Sequence, residues 1–491
     1  MSHANVLWIV ADHQAFANRG VDPSLFPLQS RLQKLGTSFS RAYTVLPICS
    51  PSRATMLTGQ YPHTHGVTEN DGRFGGRAEL DQSDHLIQHD FADAGYRCGW
   101  FGKWHLSQTQ SAQDFGFEGF SLPGYGYPYG TPEYRAYLAQ FHDGSLWAEV
   151  ESPGESRRAT GEKIDLTAED AWFDYEAGTA LLHGPEEVHE AFFLADASIK
   201  WLEKVRETDA TQPFFLRIDT WGPHPPYTMP TGFSSPLHNV QPSENLNSDL
   251  SQRPEHHRDY RDRWKSDLRP ESLDWDLLSR RALEHCILVE RALERLVDHL
   301  EATGELENTV IVFCSDHGDA VASNGGVMNK GSLMVEETMR IPLLFSGPKV
   351  RVGWECNHLV GNVDIAPTLH ELCGIPAGLQ MQGNSVAKCL TDPDAPPARE
   401  RLMTQHYGLH VPILQRALYR DRWKYVIQSN GFDELYDLEN DPSELLNLAN
   451  HSTATEQKRL MRSELAREMQ VLGDDDPRLA TMKSVLETGL R

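Results

Sequence analysis

The sequence predicts an α/β protein: a large mixed, mostly parallel sheet sandwiched by helices, followed by a smaller α+β C-terminal domain carrying an antiparallel sheet. Residues 6–11 and 309–314 are short, unbroken apolar runs with β-branched residues, the pattern of strands buried on both faces. Residues 187–205 and 277–300 carry helical periodicity between such runs. Past Ala395-Pro396-Pro397-Ala398 the chain changes to closely spaced strand-like segments at 401–407, 413–420 and 423–428. The boundaries read as 1–395 for the large domain and 396–491 for the small one.

Taken in order, residues 6–11 end at Asp12. Ligands of open α/β sheets gather beyond the carboxyl ends of strands, so Asp12 is a candidate ligand, with capping of the next turn as the alternative. His13 and Gln14 follow. Residues 25–35 read as a helix closed by Gly36, and 39–45 as a short strand leading to Cys49. Ser50 reads as the N-cap of the next helix, Pro51 as its first residue, and Gly59 as its left-handed stop. Such a helix end favours an anion at Cys49, lowers the thiol pKa and places Arg53 near enough to contact that anion. A buried structural cysteine is the alternative. Asn70-Asp71-Gly72 reads as a turn.

Residues 86–94 form a helix stopped by Gly95, and 97–101 a strand that delivers Gly102-Lys103-Trp104-His105. Residues 114–190 are rich in glycine and aromatics and read as an insertion over the mouth of a site. Within it Tyr125, Tyr127, Tyr129, Trp147 and Trp172 either pack the insertion or stack on sugar rings, and packing is favoured. Residues 214–219 form a strand, after which flanking prolines hold His224 on a stiff loop. A second excursion covers 230–275. Asp316 and His317 follow the strand at 309–314, so with Asp12 they can converge on one cation. Asn329-Lys330-Gly331 is a loop, 343–346 a strand, and Asp364 caps a helix ending at Gly374.

The chain has 491 residues and a formal net charge of −25, which argues against nucleic acid or an anionic membrane as a partner. Its seven cysteines form no CxxC pair and suit a reducing compartment. The first residues carry no basic n-region and their apolar run is only strand length. Neither a signal peptide nor a membrane anchor is expected, and the expected location is cytoplasmic.

Cys49-Ser50-Pro51-Ser52-Arg53, extended through Thr58-Gly59 and Tyr61-Pro62-His63, resembles the sulfatase signature, in which the cysteine is converted after translation to formylglycine. Gly102-Lys103-Trp104-His105 resembles a second motif of that family, the prolines around His224 a third, and Asn329-Lys330-Gly331 a loop bearing a sulfate-contacting lysine. Glu434-Leu435-Tyr436-Asp437-Leu438 and Asn447-Leu448-Ala449 are similar to the family's C-terminal hairpin, so the resemblance runs nearly end to end. It implies an alkaline-phosphatase-like fold and a sulfuric ester hydrolase.

The resemblance also implies the site. Asp12, Asp316, His317 and residue 49 hold one divalent metal, calcium by family habit with manganese as the alternative. Arg53, Lys103 and Lys330 hold the sulfate charge, and Asn70 is a further candidate contact. The oxygen of residue 49 attacks sulfur, His224 or Lys330 protonates the leaving alcohol, and His105 takes the proton from the second hydroxyl. The family often has an acidic residue where His13 stands, so His13 is a further candidate ligand in its place. Maturation implies a formylglycine-generating enzyme as partner, and a homo-oligomer is compatible with the sequence. The expected substrate is a sulfate monoester, either a small molecule or an oligosaccharide, with a sulfated carbohydrate favoured. Hydrolysis of phosphonate monoesters or phosphodiesters is the nearest rival. An unmodified Cys49 thiol enzyme and an inactive carbohydrate-binding protein are the others.

Overall fold

The computed structural model describes residues 3–15, 21–142, 144–152, 158–168, 178–267, 274–378 and 380–488; Trp172 lies outside these. Eight strands form the central sheet. In order across it they are Trp354–Gly361, Gly36–Tyr43, Leu343–Ser346, Thr309–Ser315, Asn5–Ala11, Phe214–Asp219, Arg97–Lys103 and Glu118–Leu122. Leu343–Ser346 alone runs antiparallel to its neighbours, so the sheet is mixed and mostly parallel, as expected.

Alternation along Asn5–Ala11 explains the two layers. Leu7 and Ile9 point into one apolar cluster with Leu194 and Leu202 of the Glu190–Thr208 helix and Leu293 and Val297 of the Trp275–Ala302 helix. Val6, Trp8 and Val10 point into the other, with Leu57, Phe91 and Leu369. A strand apolar on both faces therefore becomes the centre of the sandwich.

The helix before Gly36 ends there as expected; Gly36 then opens a strand at φ −159°, and a Cβ there would sit 2.0 Å from the Phe345 carbonyl oxygen. It is small because two strands meet closely. Two expectations need correction. Residues 118–122 are not insertion but the edge strand, parallel to Arg97–Lys103. The insertion beyond them builds its own small sheet, Lys163–Asp165, Trp147–Ser152, Thr179–Leu182 and Tyr227–Pro230 in order. Asp364 does not cap its own helix; its carboxylate accepts from the Gly361 and Asn384 N–H groups and pairs with Arg399.

The C-terminal part is a four-stranded antiparallel meander, Arg401–His406, Gln415–Arg420, Trp423–Gln428 and Asp433–Asp437, covered by the Thr455–Leu472 helix. Its core is continuous with Val45, Ile48 and Tyr61 of the main body, which ties it to the segment that carries Cys49. Among the described residues no helix is long and apolar enough to cross a membrane.

Candidate active site

The strand ends bring the site together. Asp12 follows Asn5–Ala11, Asp316 and His317 follow Thr309–Ser315, Lys103 ends Arg97–Lys103, and Asp219 ends Phe214–Asp219, all buried. Cys49 is the first residue of the Cys49–Thr58 helix, which ends at Gly59 with φ 64°. Ser50 is therefore inside the helix and is not its N-cap. Its N–H donates to Asn70 Oδ1 (3.0 Å) and its hydroxyl to the His105 carbonyl (2.6 Å). Asn70 thus does from another loop what a cap residue does locally.

One ligand atom from each of Asp12, Cys49, Asp316 and His317 lies within 4.8 Å of the others. His317 Nδ1–H donates to the Gly318 carbonyl (2.9 Å), which turns Nε2 toward Cys49 Sγ at 3.2 Å. Asp12 Oδ1 is buried without a hydrogen-bond partner. A buried orphan carboxylate oxygen beside a second carboxylate and an oriented imidazole fits a divalent cation. His13 is not in this set. Its ring lies 4.5 Å from those of His224 and His317, and its Nδ1 is 3.5 Å from Lys330 Nζ.

Fixed positive charge surrounds residue 49. Lys103 Nζ donates to Asp12 Oδ2 (2.5 Å). Arg53 donates to Asp316 Oδ2 through Nε (3.1 Å) and to Asp219 Oδ2 through Nη1 (2.5 Å). Lys330 Nζ lies 3.3 Å from His224 Nε2, and His224 Nδ1–H donates to the Pro225 carbonyl (2.7 Å). Burial alone would raise the Cys49 pKa, but Lys103 and Lys330 outweigh it and bring the thiol down to about 6. Burial, then Lys330, lowers His224; burial, then Lys103 and Arg53, lowers His105. Burial opposes charge on His317, but Asp316 and Cys49 raise its pKa. His13, His105 and Asn329 hold left-handed backbones (φ 71°, 53° and 66°), a conformation non-glycine residues adopt where surroundings enforce it.

These groups open into a cleft of about 560 Å³ lined by Cys49, Asn70, His105, Tyr125, His224 and Lys330, with Gly408–His410 of the C-terminal part on its lip. Tyr125 covers Lys103, whose Nζ sits 4.0 Å from the ring centroid, so this aromatic is a wall of the site. Tyr129 packs instead, donating to Glu190 Oε2 at 2.9 Å. Asp219 escaped the sequence reading. The available signal was a charged residue closing an apolar strand, the same signal that marked Asp12.

Fold and site together are those of a hydrolase for anionic esters. The chain belongs to the sulfatase family: the Sulfatase profile matches residues 4–375, and that of the N-sulphoglucosamine sulphohydrolase C-terminal region matches 326–471. It is 28% identical to the extracellular sulfatase SULF-1 homolog of Drosophila melanogaster over 72% of this chain, and spans 28% of that protein's length. It is 26% identical to the choline-sulfatase of Rhizobium meliloti, over 91% of this chain and 82% of that one. A solved structure in complex with its substrate D-glucosamine-2-N,6-O-disulfate aligns at TM-score 0.71 and 22% identity, covering 97% of this chain and 99% of that one. A phosphonate monoester hydrolase from Silicibacter pomeroyi aligns at TM-score 0.73 and 20% identity over 95% of each chain. At these identities the structural likeness concerns the fold.

Proposed function

We propose that this sulfatase releases sulfate from a sulfated carbohydrate, using formylglycine at position 49 and one divalent cation. The observation that supports this reading most is the convergence of residue 49 with Asp12, Asp316 and His317 within 4.8 Å. Formylglycine, made from Cys49 by a formylglycine-generating enzyme, supplies a hydroxyl nucleophile and a second hydroxyl that no ordinary Ser or Cys has. A cation held by Asp12, Asp316 and His317 supplies charge for a sulfate oxygen and acidifies a hydroxyl. The family's habit points to calcium, and the imidazole donor of His317 moves the balance toward manganese.

The chain's own residues do the rest. Lys103 and Lys330 bind the anion, and Arg53, locked by two carboxylates, orients residue 49. Lys330 Nζ beside His224 Nε2 puts a mobile proton where the alcohol departs. His105, held neutral and with Nδ1 unpartnered, can accept a proton from residue 49. The broad cleft and the Tyr125 wall suit a sugar ring, and seven free, buried cysteines suit a reducing, cytoplasmic setting.

His13 favours a second reading. A neutral imidazole stands where the family often has a carboxylate, so the charge of the pocket departs from the family's usual one; a phosphodiester or phosphonate monoester, a monoanion like a sulfate monoester, is the rival substrate. Rates on an aryl sulfate, an aryl phosphodiester and an aryl phosphonate, measured with protein co-expressed with a formylglycine-generating enzyme, separate the two. Preference for sulfate is expected; preference for either phosphorus ester would overturn the main reading.

A further inference from the structure

Behind the His224 loop lies a second buried cluster, His189, Glu190 and His285, exposed by 0%, 2% and 2%. His189 Nε2 is 2.8 Å from His285 Nε2 and 2.9 Å from Glu190 Oε2. Metal binding is the first thought for two imidazoles and a carboxylate. The tautomer argues against it: His189 Nδ1 accepts the Ala191 N–H (3.3 Å), so its proton is on Nε2, which donates to its neighbours. The cluster is a hydrogen-bonded anchor, and its carboxylate has one outlet toward the active site. Glu190 Oε1 accepts the Gly222 N–H (3.0 Å), and the Gly222 carbonyl accepts the Asp12 N–H (3.2 Å) and the Thr220 hydroxyl (2.6 Å).

Gly222 has no slack. A Cβ there would meet His285 Nε2 at 2.6 Å and Val289 Cγ2 at 2.8 Å. His224 stands two residues on, with its N–H donating to the Trp221 carbonyl at 3.2 Å. Resting on the roles proposed above for Asp12 and for the Lys330–His224 pair, we infer that Glu190 is a positioning residue: through Gly222 it sets where the cation ligand Asp12 stands and where His224 holds the Lys330 proton for the leaving group. The Glu190 carboxylate is held well matched for this: burial would raise its pKa, but His189, His285 and Tyr129 bring it down to about 2.

The prediction concerns leaving groups. Nitrophenolate departs without a proton, whereas an alkoxide needs one, so misplacing His224 penalises an alkyl sulfate far more than 4-nitrophenyl sulfate. Glu190→Ala should lower kcat on an alkyl sulfate at least about tenfold more than on the nitrophenyl ester, within the range general acids supply. Glu190→Gln keeps an acceptor for the Gly222 N–H but turns its amide NH₂ toward His189 Nε2–H and the Tyr129 hydroxyl, so it should restore part of that ratio and fall between the parent and Glu190→Ala. Tyr129→Phe removes one bond to Glu190 and should shift the ratio in the same direction even if Glu190→Ala does not fold. Equal losses on both esters, or no loss in either variant, would overturn the proposal. His224→Ala in the same assay separates the two levels: if it too is indifferent to the leaving group, the assigned role of His224 falls and the proposal with it. If it discriminates while the Glu190 and Tyr129 variants do not, only the proposal falls.

Discussion

Replacing Asp219 by asparagine removes one charge and almost no volume from the centre of the arginine network. Its Oδ1 accepts from Arg217 Nε (2.7 Å), and its Oδ2 accepts from Arg217 Nη2 (3.0 Å) and Arg53 Nη1 (2.5 Å). With the amide oxygen kept in the Oδ2 position, one charge-assisted bond is lost, about 1.5–3 kcal/mol. The amide NH₂ then faces the Arg217 Nε–H, and two buried guanidinium groups lose a shared counter-charge. Arg53 retains Asp316 and Asp12, but Arg217 retains the ring faces of Trp8 (4.3 Å) and Trp100 (4.5 Å). The total should reach about 3–5 kcal/mol, the usual cost of breaking a buried pair. Urea unfolding of Asp219→Asn beside the parent measures it, with kcat on an aryl sulfate falling as Arg53 loses its alignment. A cost below about 1 kcal/mol, the worth of a surface ion pair, would refute the reasoning.

Removing divalent ions with a chelator should lower the thermal midpoint as well as abolish turnover, because Asp12 and Asp316 then lie buried near each other without it; calorimetric titration with Mn²⁺ and Ca²⁺ identifies the ion, and an unchanged midpoint would count against a cation at this place. Unconverted Cys49 should react with iodoacetamide at neutral pH faster than Cys98, Cys314 and Cys373, whose thiols burial raises to about 12, while Lys103 and Lys330 bring Cys49 to about 6; peptide mass mapping reads both the labelling and the formylglycine content. Burial holds His65, His285 and His406 neutral, lowering each to about 3 from 6.5. Since the folded pKa lies below the unfolded one, their contribution to stability is complete above about pH 6.5 and is lost as pH falls, each by about 1.4 kcal/mol per pH unit. Urea midpoints at pH 7, 6 and 5 should fall in step, and a flat profile would exclude this account.

The sequence by itself determined the sheet and most of the residues at its carboxyl edge. Unbroken apolar runs such as 6–11 and 309–314 have one stable solution, burial on both faces, and the polar residues after them must emerge at the same edge. On that basis Asp12, Asp316 and His317 come to one place, and the resemblance of Gly102-Lys103-Trp104-His105 to a family motif adds Lys103. What it left open were contacts between segments distant in sequence. Ser50 looked like a cap because local chemistry allows it, yet Asn70, twenty residues on, takes the N–H instead. Gly36 does stop its helix, but what requires a glycine there is the Phe345 carbonyl of a strand far along the chain. Asp219, Tyr125 and the Glu190 anchor depend on partners 166, 22 and 32 positions away, Arg53, Lys103 and Gly222, and such pairings leave no periodicity to read. Local patterns report which face a residue presents to the core. Which charge it meets there is decided only when strands and loops from the whole chain have been packed together.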